Sequence, residues 1–118
     1  MPYNVQLMAE RPVIAAVFSG RVTIPERFEA MQAIVDCSTK TGALRLLADI
    51  RQACTEVKSQ AETMAYAECL AGEPVMRKMT IAYVSSPEQT AGVETVAALR
   101  GYFYQRFSDE ESALRWLR

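Results

Sequence analysis

The sequence predicts an α/β fold: a mixed, mostly parallel five-stranded sheet with helices largely on one face. Three observations predict it. Short apolar or alternating runs of strand length recur along the chain, helix-start signals fall between them, and glycines follow the helical stretches. Together they give the order β-β-α-β-α-β-α-β-α over residues 1–118, read as one domain. Strands separated by helices imply parallel neighbours. If neighbouring strands are also consecutive in sequence, most helices collect on one face and the other is covered only in part.

Residues 4–10 alternate, with Val5, Leu7 and Ala9 opposite Asn4, Gln6 and Glu10, which suits a half-exposed edge strand. Residues 13–18 are apolar on both faces and suit an interior strand. The short turn at Arg11 and Pro12 makes the two antiparallel. After the turn-like Ser19-Gly20-Arg21-Val22, the box Thr23-Ile24-Pro25-Glu26 starts a helix. Phe28, Met31, Ile34 and Val35 form its apolar stripe, and Gly42 ends it.

The next strand, 44–51, sets Leu44, Leu46, Ala48 and Ile50 against Arg45, Leu47, Asp49 and Arg51. A loop over 52–58 leads to a second box, Ser59 to Glu62, and a helix ending at Gly72. A fourth strand spans 79–84, and a third helix opens near Ser85 and ends at Gly101. The fifth strand, 102–107, places Tyr102, Tyr104 and Arg106 opposite Phe103 and Phe107, and a last helix follows Ser108 and Asp109.

Composition excludes several functions. The net charge is −1, so no basic footprint for nucleic acid or anionic lipid is present. The first residues lack a secretion signal, and no apolar run reaches the ~20 residues that span a bilayer. A cytoplasmic location without membrane insertion is the expectation. Three separated cysteines, Cys37, Cys54 and Cys69, suit reduced, buried thiols rather than a disulfide frame or zinc site.

The chain has no histidine, which removes Ser-His-Asp and Cys-His chemistry. Neither a dinucleotide glycine motif nor a phosphate loop occurs, so no cofactor is expected. Arg45, Asp49 and Arg51 share one strand face and are a candidate anion or polar-ligand site, or a charged cluster satisfied by its own pairing. Tyr102, Tyr104 and Arg106 are a candidate contact surface for a dimer. Cys54, between Arg51 and Lys58, is a candidate nucleophile that lacks a base, and Asp49 with Arg51 is the other catalytic candidate.

The run Phe18-Ser19-Gly20-Arg21-Val22-Thr23, the strand Arg45-Leu46-Leu47-Ala48-Asp49-Ile50-Arg51, the strand Ile81-Ala82-Tyr83-Val84 and the tail from Phe107 to Leu117 occur in an order that resembles the SpoIIAA-like fold. That fold is shared by STAS domains and CRAL-TRIO lipid-transfer domains, and the pattern is most similar to uncharacterised bacterial STAS-like proteins. The resemblance implies a non-catalytic regulatory or protein-binding domain with a protein partner or a second copy of itself. Its alternative is a small lipid or apolar-ligand binder. The anti-sigma-factor antagonists of the family carry a phosphorylated serine in an Asp-Ser-Ser-Gly loop. The matching stretch, 52–59, has hydroxyls at Thr55 and Ser59 without that core, and Ser59 reads as a helix cap. Thr55 and Ser59 complete the candidate binding residues.

Overall fold

A computed structural model describes residues 2–8, 11–87, 89 and 92–118. Its elements are β1 (Tyr3–Leu7), β2 (Val13–Thr23), α1 (Ile24–Thr41), β3 (Arg45–Glu56), α2 (Gln60–Gly72), α3 (Pro74–Lys78), β4 (Thr80–Val84), α4 (Gly92–Ala98), β5 (Gln105–Phe107) and α5 (Glu110–Trp116). One sheet has the order β1-β2-β3-β4-β5. The β1–β2 pair is antiparallel and the other three pairs are parallel. This is the mixed sheet the sequence predicts.

The two faces are covered unequally. Ile14, Ala16, Leu46, Ala48, Ile50, Ile81 and Tyr83 enter the larger core, beneath Ile34 of α1, Leu70 of α2, Met76 of α3 and Ala97 of α4. The opposite face holds a smaller core of Val13, Leu47, Ala82 and Val84 under Ala113 and Leu117 of α5. That single short helix leaves part of the face open, and Val17 is 44% exposed. Alternation along β3 therefore sends Leu46, Ala48 and Ile50 to the helix-rich side, while Leu47 and Asp49 face α5.

The start of α1 follows its sequence signal. Thr23 Oγ1 accepts from the Glu26 amide at 3.3 Å, and Glu26 Oε1 accepts from the Thr23 amide at 2.8 Å. Two orphan amides are thereby satisfied. Gly42 closes the helix at φ +78°, a left-handed conformation that costs glycine little.

Four elements differ from the sequence reading. First, β2 continues through the expected turn to Thr23, and β3 through the expected loop to Glu56. Ser19 to Thr23 pair with Gln52 to Glu56. These residues lack an apolar alternation, so only the pairing itself makes them strands. Gly20, at φ +70°, gives the stretch its turn-like look. Second, a bulge sets Ile50 and Arg51 opposite Phe18 alone, because Val17 pairs Asp49 while Ser19 pairs Gln52. Third, an extra short helix, α3, follows the expected helix end at Gly72: Pro74 begins it, and Glu73 caps it by accepting from the Val75 amide at 3.0 Å. Fourth, β5 is only three residues long, and the segment before it turns its tyrosines inward. Tyr102 is 4% exposed and Phe103 is 78% exposed, so Tyr102 is not available to the contact surface expected of Tyr102, Tyr104 and Arg106. The last residues expected in the first strand, Ala9 and Glu10, lie outside the described residues, as do Glu88, Thr90 and Ala91 in the expected start of the third helix.

Candidate functional site

Helix α1 buries a charge. Its inward stripe runs Ile24, Arg27, Ala30, Ile34 and Ser38, so Arg27 occupies a core position and is 3% exposed. Its guanidinium lies 5.2 Å from the Phe18 ring centre and 5.6 Å from that of Tyr66, a cation–π arrangement on two sides. Arg27 Nη2 donates to Glu94 Oε2 in the first turn of α4, and Glu94 is 4% exposed. A buried charge survives only when paired. Burial works against the guanidinium's charge. The Tyr66 phenol and the Glu94 carboxylate outweigh that penalty, so its pKa is raised and Arg27 stays cationic. Among the described residues its Nε–H finds no acceptor.

Arg27 and Glu94 line a cavity of about 390 Å³ beside the carboxyl half of β3. Ile50 and Ala53 of β3, with Val57 and Val93, form its apolar walls. Thr55, Thr63 and Cys54 bring two hydroxyls and a thiol. Gln89 closes one side: its Nε2 donates to the Ile50 and Ala53 carbonyls at 2.6 and 3.0 Å, and its Oε1 accepts from the Ser86 amide at 2.7 Å. In open α/β sheets, ligands sit at the carboxyl ends of the strands, as this cavity does.

The residues singled out from the sequence do not converge on one site. Arg45 begins β3, while Asp49 and Arg51 lie four and six residues further along, so the trio divides. Arg45 borders a surface hollow with Arg11, Leu114 and Leu117. Arg51 instead grips Asp49: Nη2 donates to Oδ2 at 2.7 Å, Nε to Oδ1 at 3.0 Å and the Arg51 amide to Oδ1 at 3.1 Å. Thr55 is in the cavity wall. Ser59 caps α2, its Oγ accepting from the Glu62 amide at 3.1 Å, whereas Glu62 reaches the Lys58 amide rather than that of Ser59.

Tyr102 and Tyr83 share a buried hydroxyl–hydroxyl hydrogen bond of 2.8 Å, with the Tyr104 ring 5.2 Å from that of Tyr83. Burial pushes both the Tyr83 and the Tyr102 phenol well above the usual range. Arg106 ties β5 to the end of β4, donating to Ser85 Oγ at 3.0 and 2.8 Å and to the Gln89 carbonyl at 3.0 Å. Cys54 and Cys69 are exposed, against the expectation of buried thiols, because neither side chain falls on a core-facing position; Cys37 is half-buried.

Burial raises the Asp49 carboxyl's pKa, and Arg51's hydrogen bonds and charge outweigh it, leaving the value below the ordinary 3.8. A depressed carboxyl stabilises the fold fully above its unfolded value and loses that contribution as pH falls through the folded one. Asp49→Asn should therefore cost up to about 1 kcal/mol at neutral pH, since the pair is partly exposed. Urea titrations should show the gap from wild type shrinking below pH 3.8, and a gap independent of pH would contradict this pairing.

A five-stranded sheet in sequential order, its first strand antiparallel and its helices gathered mainly on one side, defines an α/β fold of the SpoIIAA-like class. The solved structures similar to this chain include the following two. One is an uncharacterised protein of the DUF3478 family with a SpoIIAA-like fold from Shewanella loihica PV-4, at TM-score 0.65 and 18% identity, covering 98% of this chain and 92% of that one. The other is the Bacillus cell fate determinant SpoIIAA in its phosphorylated form, at TM-score 0.59 and 13% identity, covering 98% and 99%. No family model matches the sequence, and no curated protein matches it. No helix among the described residues is long and apolar enough to cross a membrane.

Proposed function

We propose that this protein is a non-catalytic regulatory domain of the STAS type, acting in the bacterial cytoplasm by binding another protein. One observation carries the reading. Residues 19–23 of β2 and 52–56 of β3 pair with each other beyond the point where β1 and β4 stop pairing, since β1 reaches only Phe18 and β4 only Asp49. A two-stranded ribbon thus projects from the sheet. Ser19 still donates its amide to the Pro2 carbonyl at 2.8 Å, and past it the outer edge of β2 has no strand beside it among the described residues. Free strand edges are ready surfaces for protein partners. Arg21 and Cys54 are exposed on the ribbon, and Val57, just past it, is 44% exposed.

The absence of histidine and the engagement of Asp49 by Arg51 support a role without catalysis. The Shewanella and Bacillus proteins named above are bacterial, and the Bacillus determinant is one whose structure is of a phosphorylated form. In this chain Ser59 Oγ is occupied as a helix cap, which favours direct contact over a phosphoserine switch.

The test is capture of a partner by the purified chain, followed by titration of the purified pair. Arg21→Glu combined with Val57→Asp should weaken binding at least about tenfold, ~1.4 kcal/mol, with unchanged circular dichroism. Failure to find any binding protein, or equal binding by the double variant, would overturn the proposal.

A further inference from the structure

The ribbon lies at the carboxyl ends of β2 and β3, and the opposite end of the same strands is basic. We infer that this amino end, where β2 starts at Val13 and β3 at Arg45, is a binding site for a small phosphate monoester with a short apolar body. A surface hollow of about 240 Å³ lies there, with Val13, Leu114 and Leu117 as its apolar lining and Arg11, Arg45 and Arg118 as its charged one. An adjoining hollow shares Pro12 and Arg45 with the first and adds Lys78. Among the described residues, no acidic side chain lines either hollow.

The chain has 14 acidic and 13 basic residues, so four cations without an acid are a local arrangement that composition does not supply. Arg21, Arg27, Arg51, Arg100 and Arg115 each pair with a carboxylate, whereas Arg11, Arg45, Lys78 and Arg118 pair with none among the described residues. Lys78 ends α3 and Arg118 follows α5, where cations complement the helix dipole. That account does not reach Arg11, between β1 and β2, or Arg45, the first residue of β3. Guanidiniums match phosphate oxygens through paired, charge-assisted hydrogen bonds. A phosphate monoester carries a charge of about −1.5 to −2 and three acceptor oxygens, enough to engage more than one guanidinium, where a carboxylate brings a single charge. The apolar lining asks for a body beside that charge: Val13 is 3% and Leu117 1% exposed. A dry cavity of about 150 Å³ takes a benzene ring, so a hollow of about 240 Å³ has room for a ring and its phosphate.

Phenyl phosphate has this chemistry and serves as the probe, beside benzoate (one charge), benzyl alcohol (no charge) and inorganic phosphate (no apolar body). Amide NMR titrations at low salt, where exposed charges are least screened, should give saturable phenyl phosphate shifts at residues 11, 13, 45, 114 and 117. The other three should bind at least about tenfold more weakly, each lacking part of the charge or the apolar body. Arg45 is exposed and common to both hollows, and Arg45→Gln should weaken phenyl phosphate at least about tenfold. Arg11→Gln should do the same. Lys58→Gln removes a cation just past the far end of β3 and should leave binding unchanged. No saturable shifts, equal binding of any of the three other compounds, full affinity in either arginine variant, or an equal loss from Lys58→Gln would each overturn the inference. So would sedimentation with phosphatidic acid vesicles without phenyl phosphate binding, which would make the basic end a lipid contact. The ribbon is at the other end of the strands, so none of these outcomes depends on whether it binds a protein partner.

Discussion

Glu94→Ala should destabilise the protein by about 3–5 kcal/mol, the usual cost of leaving one member of a buried ion pair alone. Arg27 would remain charged at 3% exposure, with the Phe18 and Tyr66 rings beside it but no carboxylate. Ring faces contribute roughly 0.5–2 kcal/mol each to holding a cation, too little to replace a carboxylate. A small domain's whole stability is about 5–15 kcal/mol, so the loss is a large share of it. Glu94→Gln keeps an oxygen for Arg27 Nη2 while removing the charge, and should fall between wild type and alanine. Urea denaturation checks the series. An alanine variant within about 0.5 kcal/mol of wild type, the range of ordinary surface substitutions, would show that the carboxylate is not holding the guanidinium.

Leu46→Ala should cost about 2–5 kcal/mol, as deletions of fully buried leucines do. Leu46 is 1% exposed in the middle of β3, pairing Ile14 on one side and Ile81 on the other, and it belongs to the core beneath the four-helix side. Leu44→Ala is its control. Two residues earlier, Leu44 has the same parity in the sequence, yet it precedes the strand and is 45% exposed. It should change stability by no more than about 0.5 kcal/mol. Comparable losses at both positions would mean that the strand starts earlier and lies differently against the helices.

The contrast between these two leucines shows what could be read from the chain. The alternation over 44–51 places Leu46, Ala48 and Ile50 on one side and Leu47 with Asp49 on the other, as the structure has them. Thr23 and Glu26 mark the start of α1 because capping is a local interaction among four residues. The ribbon over 19–23 and 52–56 was illegible for the opposite reason: nothing local makes Gln52 to Glu56 extended, and the pairing that does so comes from residues more than thirty positions away. Tyr102 and Tyr104 have the right parity in the sequence. Which face is inside depends on α2 and α4 above them, and on the hydrogen bond between Tyr102 and Tyr83.

Nearly all of the cavity was hidden as well, although it left a signal. Arg27 stands in register with Ile24, Ile34 and Ser38 on the inward stripe of α1, and a charged residue at an inward position of an amphipathic helix is a reason to look for a buried partner. Glu94 lies three residues before Ala97 and beside Val93, both buried. In the first turn of its helix an acidic residue also reads as a favourable match to the helix dipole, and that ordinary explanation masks its role. The Thr55 hydroxyl is legible in the sequence, and Thr55 lines the cavity. Gln89 carries no motif, because its task is to satisfy the carbonyls of Ile50 and Ala53 beside the bulge.

The double variant Arg27→Met, Glu94→Leu tests whether the buried pair holds the fold together or is kept for another use at the carboxyl end of β3. Buried ion pairs replaced together by apolar side chains of similar size are commonly neutral or stabilising by about 1–4 kcal/mol. If the pair is kept for another use, thermal denaturation shows this variant melting at or above the wild-type temperature. A variant as unstable as Glu94→Ala would contradict that account.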